Sequence, residues 1–252
     1  MFKNKTKEKL INNQAVFGYI CNIPAASISE IAGQADLDFI VIDCEHGPMN
    51  EETAENMIRA AEVVGITPLV RVPSNEPHII LRYMDRGAAG VIVPHINTKE
   101  EAIRVVNSVK YAPLGKRGFA PGRWTLNIEG DPFEFANNET LVICMVEDLV
   151  GIENLDEILS VEGLDVIHIG AGDIAQEMGF IGDTKNPKVV NTIHEMIQKI
   201  YQSGKTAGTG GIQVKDYDSV NKTIELGARF LTLSTSGLLL QGTKTFLSNI
   251  KQ

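Results

Sequence analysis

Cysteine is scarce in this chain. Cys21, Cys44 and Cys144 are the only three, and they lack CxxC spacing, so neither a disulfide framework nor a zinc site is expected. Basic residues are in deficit: 23 Lys plus Arg stand against 32 Asp plus Glu, a formal net charge of −9. That balance argues against nucleic acid or an anionic membrane as a partner. No run reaches the roughly 18 apolar residues of a membrane-spanning helix. The polar opening MFKNKTKEKLINNQ also lacks the apolar centre of a secretory signal. These absences leave the expectation of a soluble, cytoplasmic protein.

What is present is globular: 252 residues, 43% apolar and 22% charged, with 23 Gly and 10 Pro. A chain of this length can bury about three quarters of its unfolded surface without staples. Short β-branched runs recur, each followed by a turn, an amphipathic stretch and a Gly. They are VFGYI (16–20), FIVID (39–43), TPLVRV (67–72), GVIVPHI (90–96), LVICMVE (141–147), VIHIG (166–170), KTAGTG (205–210) and RFLTLST (229–235). Continuous apolar runs of this kind are strands buried on both faces, as in a parallel sheet. Between them, Ser27 with Glu30 and Thr98 with Glu101 are spaced as capping boxes. Gly87 and Gly227 fall where a left-handed residue closes a helix. Ala54, Met57, Ile58, Ala61 and Val64 recur at helical spacing and predict one buried face over 50–64.

Eight strands alternating with helices predict a single (β/α)8 TIM barrel, one domain spanning 1–252, with a doubly wound open sheet as the competitor. The segment 111–140 stands apart, rich in Gly and Pro and holding the single Trp124. Loops of that length are usually functional or disordered.

A barrel of this class carries its active site at the C-terminal strand ends. Asp43-Cys44-Glu45-His46 follows strand 2, Arg71 lies near the end of strand 3, Glu147-Asp148 ends strand 5, and strand 6 leads into Gly170-Ala171-Gly172-Asp173. Glu147 and Asp173 end adjacent strands. Without thiolates nearby they suit a hard divalent ion, or they are rim charges paired with lysines or solvent. His46, three residues after Asp43, makes either an acid–base dyad with it or an exposed ring beside a turn that Asp43 caps. Arg71 either stabilises an oxyanion or pairs structurally with Glu45. His95 reads as a supporting residue, His168 as interior, and His78 and His194 as surface. Cys44 and Cys144 read as buried thiols. Gly208-Thr209-Gly210-Gly211 is a weak phosphate-binding hint. Imine chemistry would need a lysine inside the barrel, and Lys205 stands at the wrong end of strand 7.

With those residues in hand, the sequence resembles the HpcH/HpaI family of metal-dependent (class II) pyruvate aldolases, of the phosphoenolpyruvate/pyruvate barrel superfamily. The likeness is carried by FIVIDCEHGPMN (39–50), by LVRVPSNEPHIILRYMDRGAAGVIVPHINTKEEA (69–102) and by VEDLVGIENLDEILSVEGLDVIHIGAGDIAQEMG (146–179), with ELGARF (225–230) as weaker support. The resemblance implies Glu147 and Asp173 as ligands of Mg2+ or Mn2+, with Co2+ as a further candidate. It implies His46 paired with Asp43 as the base, Arg71 on the keto oxygen, and backbone N–H groups of Gly172 and Asp173 on the substrate carboxylate. The chain departs from the family pattern at Met145, where glutamine is common. It departs again at Asp148, at Gly170-Ala171-Gly172-Asp173 and at Ser234-Thr235-Ser236. Met145 and Asp148 bear on substrate scope, and the 111–140 loop is a candidate for aldehyde selectivity.

The implied reaction is cleavage of a 4-hydroxy-2-oxo acid, such as a 2-keto-3-deoxy sugar acid or 4-hydroxy-2-oxoheptanedioate, to an aldehyde and pyruvate through a pyruvate enolate. The alternatives are another lyase of the superfamily, acting on an acyl-CoA or oxaloacetate, and a non-catalytic sugar-acid-binding barrel. Self-association as a hexamer or other homo-oligomer is implied as well, and GLLLQGTKTFLSNI (237–250) is apolar enough to take part.

Overall fold

The computed structural model describes residues 3–126, 128–212 and 217–250, without the side chains of residues 211 and 212. The strands β1 (Val16–Cys21), β2 (Phe39–Asp43), β3 (Thr67–Arg71), β4 (Gly90–Val93), β5 (Leu141–Val146), β6 (Val166–Ile169), β7 (Thr206–Ile212) and β8 (Ala228–Ser234) run parallel in sequence order. β8 pairs back onto β1, so the sheet is a closed barrel. Closure excludes the open doubly wound sheet and makes the fold a single (β/α)8 barrel. All eight expected runs are strands.

Among the described residues, twelve α-helices accompany them: α1 (Lys5–Ile11), α2 (Ala26–Gln34), α3 (Glu51–Val64), α4 (Pro77–Asp85), α5 (Lys99–Val109), α6 (Pro132–Glu139), α7 (Leu149–Glu153), α8 (Leu155–Leu159), α9 (Ala171–Glu177), α10 (Pro187–Gln202), α11 (Tyr217–Glu225) and α12 (Thr235–Ser248). Thr98 caps α5 reciprocally with Glu101, as expected. Ser27 does not cap α2. The helix begins at Ala26 after Ala25, so Ser27 already lies within its first turn. Gly87 (φ 97°) and Gly227 (φ 115°) both take the left-handed region beyond helix ends, where a side chain would be strained.

Because side chains alternate along a strand, each strand serves two cores. Val16, Phe39, Val41, Leu69, Ile143, Met145, Val166 and Phe230 fill the barrel, with Phe39 and Phe230 stacked at 4.3 Å. Ile40, Ile42, Val70, Cys144 and Ile167 face the helices instead. Gly18 is required inside, since a Cβ there would lie 2.3 Å from the Phe39 ring.

The 111–140 segment joins α5 to β5 and therefore lies at the N-terminal ends of the strands. Its own small core stacks Tyr111 on Trp124 at 5.1 Å, with Phe133 edge-on to both. Arg117 covers both Tyr111 and Trp124 and bonds Asp85 at 2.8 Å. Connections at this end support stability. The segment, a candidate for aldehyde selectivity in the sequence, thus lies away from the mouth of its own barrel. Gly208-Thr209-Gly210-Gly211 is likewise part of β7 rather than a loop after it. Among the described residues, no helix is long and apolar enough to cross a membrane.

Candidate active site

The inward rows of the strands predict what caps the barrel core. Two residues beyond inward Leu69 comes Arg71, beyond Val41 comes Asp43, beyond Ile143 comes Met145, beyond Val166 comes His168, and beyond Phe230 comes Thr232. The apolar interior thus ends in a polar layer, and β5 continues past it to Glu147.

Arg71 is the hub of the charged side. Strand register sets Asp43 and Arg71 opposite one another, and Arg71 donates from Nε (2.9 Å) and Nη2 (2.7 Å) to the two Asp43 oxygens. This fork-to-fork geometry is the strong form of the pair. Arg71 Nη1 reaches Glu45 Oε2 at 3.2 Å and Met145 Sδ at 3.9 Å. Burial opposes the charge on Arg71, but its bond to Asp43 and the charges of Asp43, Glu45 and Glu147 outweigh that, and its pKa stands above the ordinary value. Asp43 Oδ1 also accepts the backbone N–H groups of Glu45 and His46, both at 3.2 Å.

Asp43 therefore fixes the turn that carries His46 and does not bond its ring. The imidazole is 67% exposed, with Nε2 3.8 Å from Glu45 Oε2. The expected side-chain dyad between Asp43 and His46 is not formed, because both Asp43 oxygens are already held by Arg71 and the turn.

Glu147 is 2% exposed. Its Oε1 accepts the His95 backbone N–H at 3.0 Å, an approach helped by the left-handed conformation of His95 (φ 52°). Burial pushes the carboxyl up to about 7. The His95 N–H and ring oppose that, while Asp173 and Glu45 add to it. The His95 ring is gripped by Asp148, with Nδ1 3.1 and 3.2 Å from its oxygens, and Asn97 Nδ2 donates to the same carboxylate at 2.8 Å. Burial lowers the His95 pKa, but Glu147, Asp148 and Glu45 outweigh it and the net direction is upward. Glu45 is Arg71's second partner, the pairing that the sequence offered as an alternative; Asn97 as Asp148's partner was missed. The pattern PHIN after strand 4 was the available signal for it.

Glu147 Oε2 and the Asp173 carboxylate have no hydrogen bond or ion pair among the described residues. A Cβ at Gly170 would lie 2.5 Å from Glu147 Oε2, so glycine keeps space beside that oxygen. Two hard oxygen donors, one buried and lacking a fixed cation, fit a divalent ion whose other positions are filled by water and substrate. No cluster of three or more acidic, histidine or cysteine side chains is arranged as a fuller cage among the described residues.

A cavity of about 380 Å³ opens beside this layer, bordered by His46, Arg71, Met145, His168, Gly172 and Asp173 among others. The thiols stay out of the chemistry: all three cysteines are buried, and burial pushes Cys44 up to about 12. Lys205 donates to the Val161 and Leu164 carbonyls at the opposite end of the barrel, so this strand lysine is not placed to form an imine.

A parallel barrel with buried carboxylates, an arginine fork and a histidine at its C-terminal mouth can stabilise negative charge on oxygen. Residues 21–241 match the family model "HpcH/HpaI aldolase/citrate lyase", and the chain belongs to that family, as a carbon–carbon lyase. It is 32% identical to the hydroxypyruvate/pyruvate aldolase of Roseobacter denitrificans, covering 99% of this chain and 98% of that one. It is also 32% identical to the 5-keto-4-deoxy-D-glucarate aldolase of Salmonella arizonae, over 100% and 98% of the two chains. Among solved structures, citrate synthase SbnG superposes with a TM-score of 0.86 at 32% identity, covering 96% and 95%.

Proposed function

We propose that the lyase cleaves a 4-hydroxy-2-oxo acid, in the range of 2-keto-3-deoxy sugar acids and 4-hydroxy-2-oxoheptanedioate, to pyruvate and an aldehyde. The observation that carries this reading is the unpartnered pair Glu147 Oε2 and Asp173 beside the Arg71 fork, with Asp173 and Arg71 bordering one cavity. Glu147 and Asp173 would hold Mg2+ or Mn2+, with Co2+ as a substitute. When bound, such an ion supplies Lewis-acid polarisation of the 2-oxo group.

The chain's own residues do the rest. Arg71, kept charged by Asp43 and Glu45, faces the oxygen on which negative charge develops. Gly172 has open space where a Cβ would stand, so the backbone N–H groups of Gly172 and Asp173 are accessible to the substrate carboxylate. His46 borders the cavity and takes the proton of the C4 hydroxyl. The C3–C4 bond then breaks, the aldehyde leaves, and a proton returned to C3 of the enolate gives pyruvate. Asp43 serves this step through the main-chain turn and through Arg71.

Three buried, unpaired cysteines support a reducing, cytoplasmic setting. Leu239, Leu240, Phe246 and Leu247 on α12 are more than half exposed, an apolar surface that supports self-association.

The test is exchange of pyruvate methyl protons in D2O, followed by NMR with Mn2+ and with EDTA. Exchange that requires the metal and is lost in His46→Ala is the expected result. No exchange with any divalent ion, in folded protein, would overturn the reading. Oxaloacetate and acyl-CoA substrates in the same screen address the alternative lyase reactions.

A further inference from the structure

The lining of the cavity is divided by charge. Arg71 and Asp173 border it, whereas Asp43, Glu45, His95 and Glu147 stand behind. From the charged edge the open space extends across β6, β7, β8 and β1, over His168, Gly210, Thr232 and Ile20. A substrate whose 2-oxo acid end is held at Arg71 and Asp173 has this second sector open to its remaining carbons, in a cavity also lined by Val190, Ile193 and His194 of α10 and by Ser219, Val220 and Thr223 of α11. The strands contribute no charged side chain there. The cation Lys185 borders the cavity from the connection between α9 and α10 instead.

His168 is 3% exposed, and its Nε2 is 3.3 Å from Thr232 Oγ1. Its Nδ1 is buried without a hydrogen-bond partner. The ring stands edge-on to Phe230 at 5.9 Å, which fixes its plane. A Cβ at position 210 would lie 2.5 Å from Thr232 Oγ1 and 3.4 Å from His168 Cε1, so Gly210 keeps the pair uncovered. Burial, with Arg71 adding, lowers the imidazole to about 3, so it is neutral at working pH. A neutral imidazole beside a rotatable hydroxyl can both donate and accept.

Each class of substrate tail meets this sector differently. A carboxylate or phosphate laid on His168 and Thr232 would meet only neutral groups from the strands, which is costly; Lys185, the lysine of the lining, comes from the connection between α9 and α10. An alkyl tail would cover the pair and leave its polar atoms unsatisfied, and sites built to bond a hydroxyl reject analogues lacking one for that reason. A hydroxyl satisfies the pair.

We propose that His168 and Thr232 form a neutral hydrogen-bonding subsite that selects aldehydes carrying a hydroxyl beside the carbonyl. The inference rests on the aldolase reading and narrows it to the 2-keto-3-deoxy sugar acids, whose aldehyde product carries that hydroxyl, over 4-hydroxy-2-oxoheptanedioate, whose product does not.

The experiment is the reverse aldol addition by the metal-loaded enzyme, with pyruvate and two aldehydes of matched size, glycolaldehyde and propanal. The readout is the ratio of their kcat/KM values, with pyruvate methyl exchange measured alongside. Wild type should favour glycolaldehyde. His168→Leu and Thr232→Val should each lower the ratio by about tenfold or more while exchange continues, and His168→Asn should retain much of it. A ratio unchanged in both His168→Leu and Thr232→Val, with exchange intact, overturns the subsite. Equal loss for the two aldehydes also overturns it, because the pair is then only structural. Absence of exchange in wild type would instead overturn the aldolase reading, and the subsite with it.

Discussion

At the N-terminal end of the barrel Lys110 is 2% exposed, as is Glu147 at the C-terminal end. Burial moves both toward neutrality, Lys110 down to about 7 with Lys7 adding, and Glu147 up to about 7. Their partners differ. Lys110 Nζ donates to the Asn137 carbonyl (2.7 Å), the Thr140 carbonyl (2.8 Å) and Thr140 Oγ1 (3.0 Å), three fixed acceptors for three protons. Glu147 has one oxygen engaged by a backbone N–H and the other facing the gap that Gly170 leaves. The same desolvation therefore yields a closed structural node at one end and an open ligand position at the other. A shifted pKa alone does not distinguish the two roles; the count of satisfied lone pairs and protons does.

The largest effect that would break this contrast belongs to Glu147→Gln. Metal-dependent exchange should fall by about 10³-fold or more, the scale of a lost Lewis-acid contribution. Urea unfolding of the metal-free variant should show stability equal to or above wild type, because a desolvated carboxylate has been removed. Retained exchange would deny Glu147 its metal role.

Arg71→Ala should lower exchange by about 10²–10³-fold, the usual cost of losing a preorganised oxyanion partner. It should also cost about 3–5 kcal/mol of stability, since Asp43 and Glu45 are left unpaired. Arg71→Lys, read by calorimetry and NMR together, should keep more of the stability than of the activity, because lysine lacks the fork.

His46→Ala should slow exchange by about 10²-fold or more, and His95→Ala by less, since His95 does not border the cavity. A reversal of that order would move the base to His95.

Smaller effects appear with pH. Glu147's folded value is raised above its ordinary 4.5. Its contribution to metal-free stability is full below that value and lost as pH rises through about 7. Metal replaces the proton, so the rise in Tm on adding Mn2+ should be greater near about pH 8 than near about pH 6. Lys110 has the opposite sign. Its folded value is lowered from 10.5 to about 7, so its contribution is full above 10.5 and lost as pH falls through about 7. Lys110→Met should flatten stability across that window and leave exchange unchanged.

The contrast also marks what was readable in advance. The strands were legible because each is a continuous apolar run, and a run buried on both faces has few other homes. Glu147, Asp173 and Arg71 were legible as polar residues at strand ends. The spacing of Asp43 from His46 left two readings, a side-chain dyad or a turn capped by Asp43 with His46 exposed, and the structure has the turn. The register of β2 on β3 decides it by putting Arg71 directly opposite Asp43, and a two-toothed ion pair prevails over a single imidazole contact. The 111–140 segment was misjudged because its length was visible while the end of the barrel it joins was not. His168 was readable as interior, but not as a cavity wall, because that depends on Gly210 of the neighbouring strand β7.

The sequence by itself determined the eight-strand alternation, the two-sided burial of those strands, and the set of charged residues at one rim, since hydrophobic periodicity and strand-end polarity are local properties of the chain. Only the tertiary structure decided which charges satisfy one another and which oxygens are left for a ligand. Barrel closure and strand register join residues tens of positions apart, and in a medium of low dielectric those distances, rather than composition, fix the balance between desolvation and pairing.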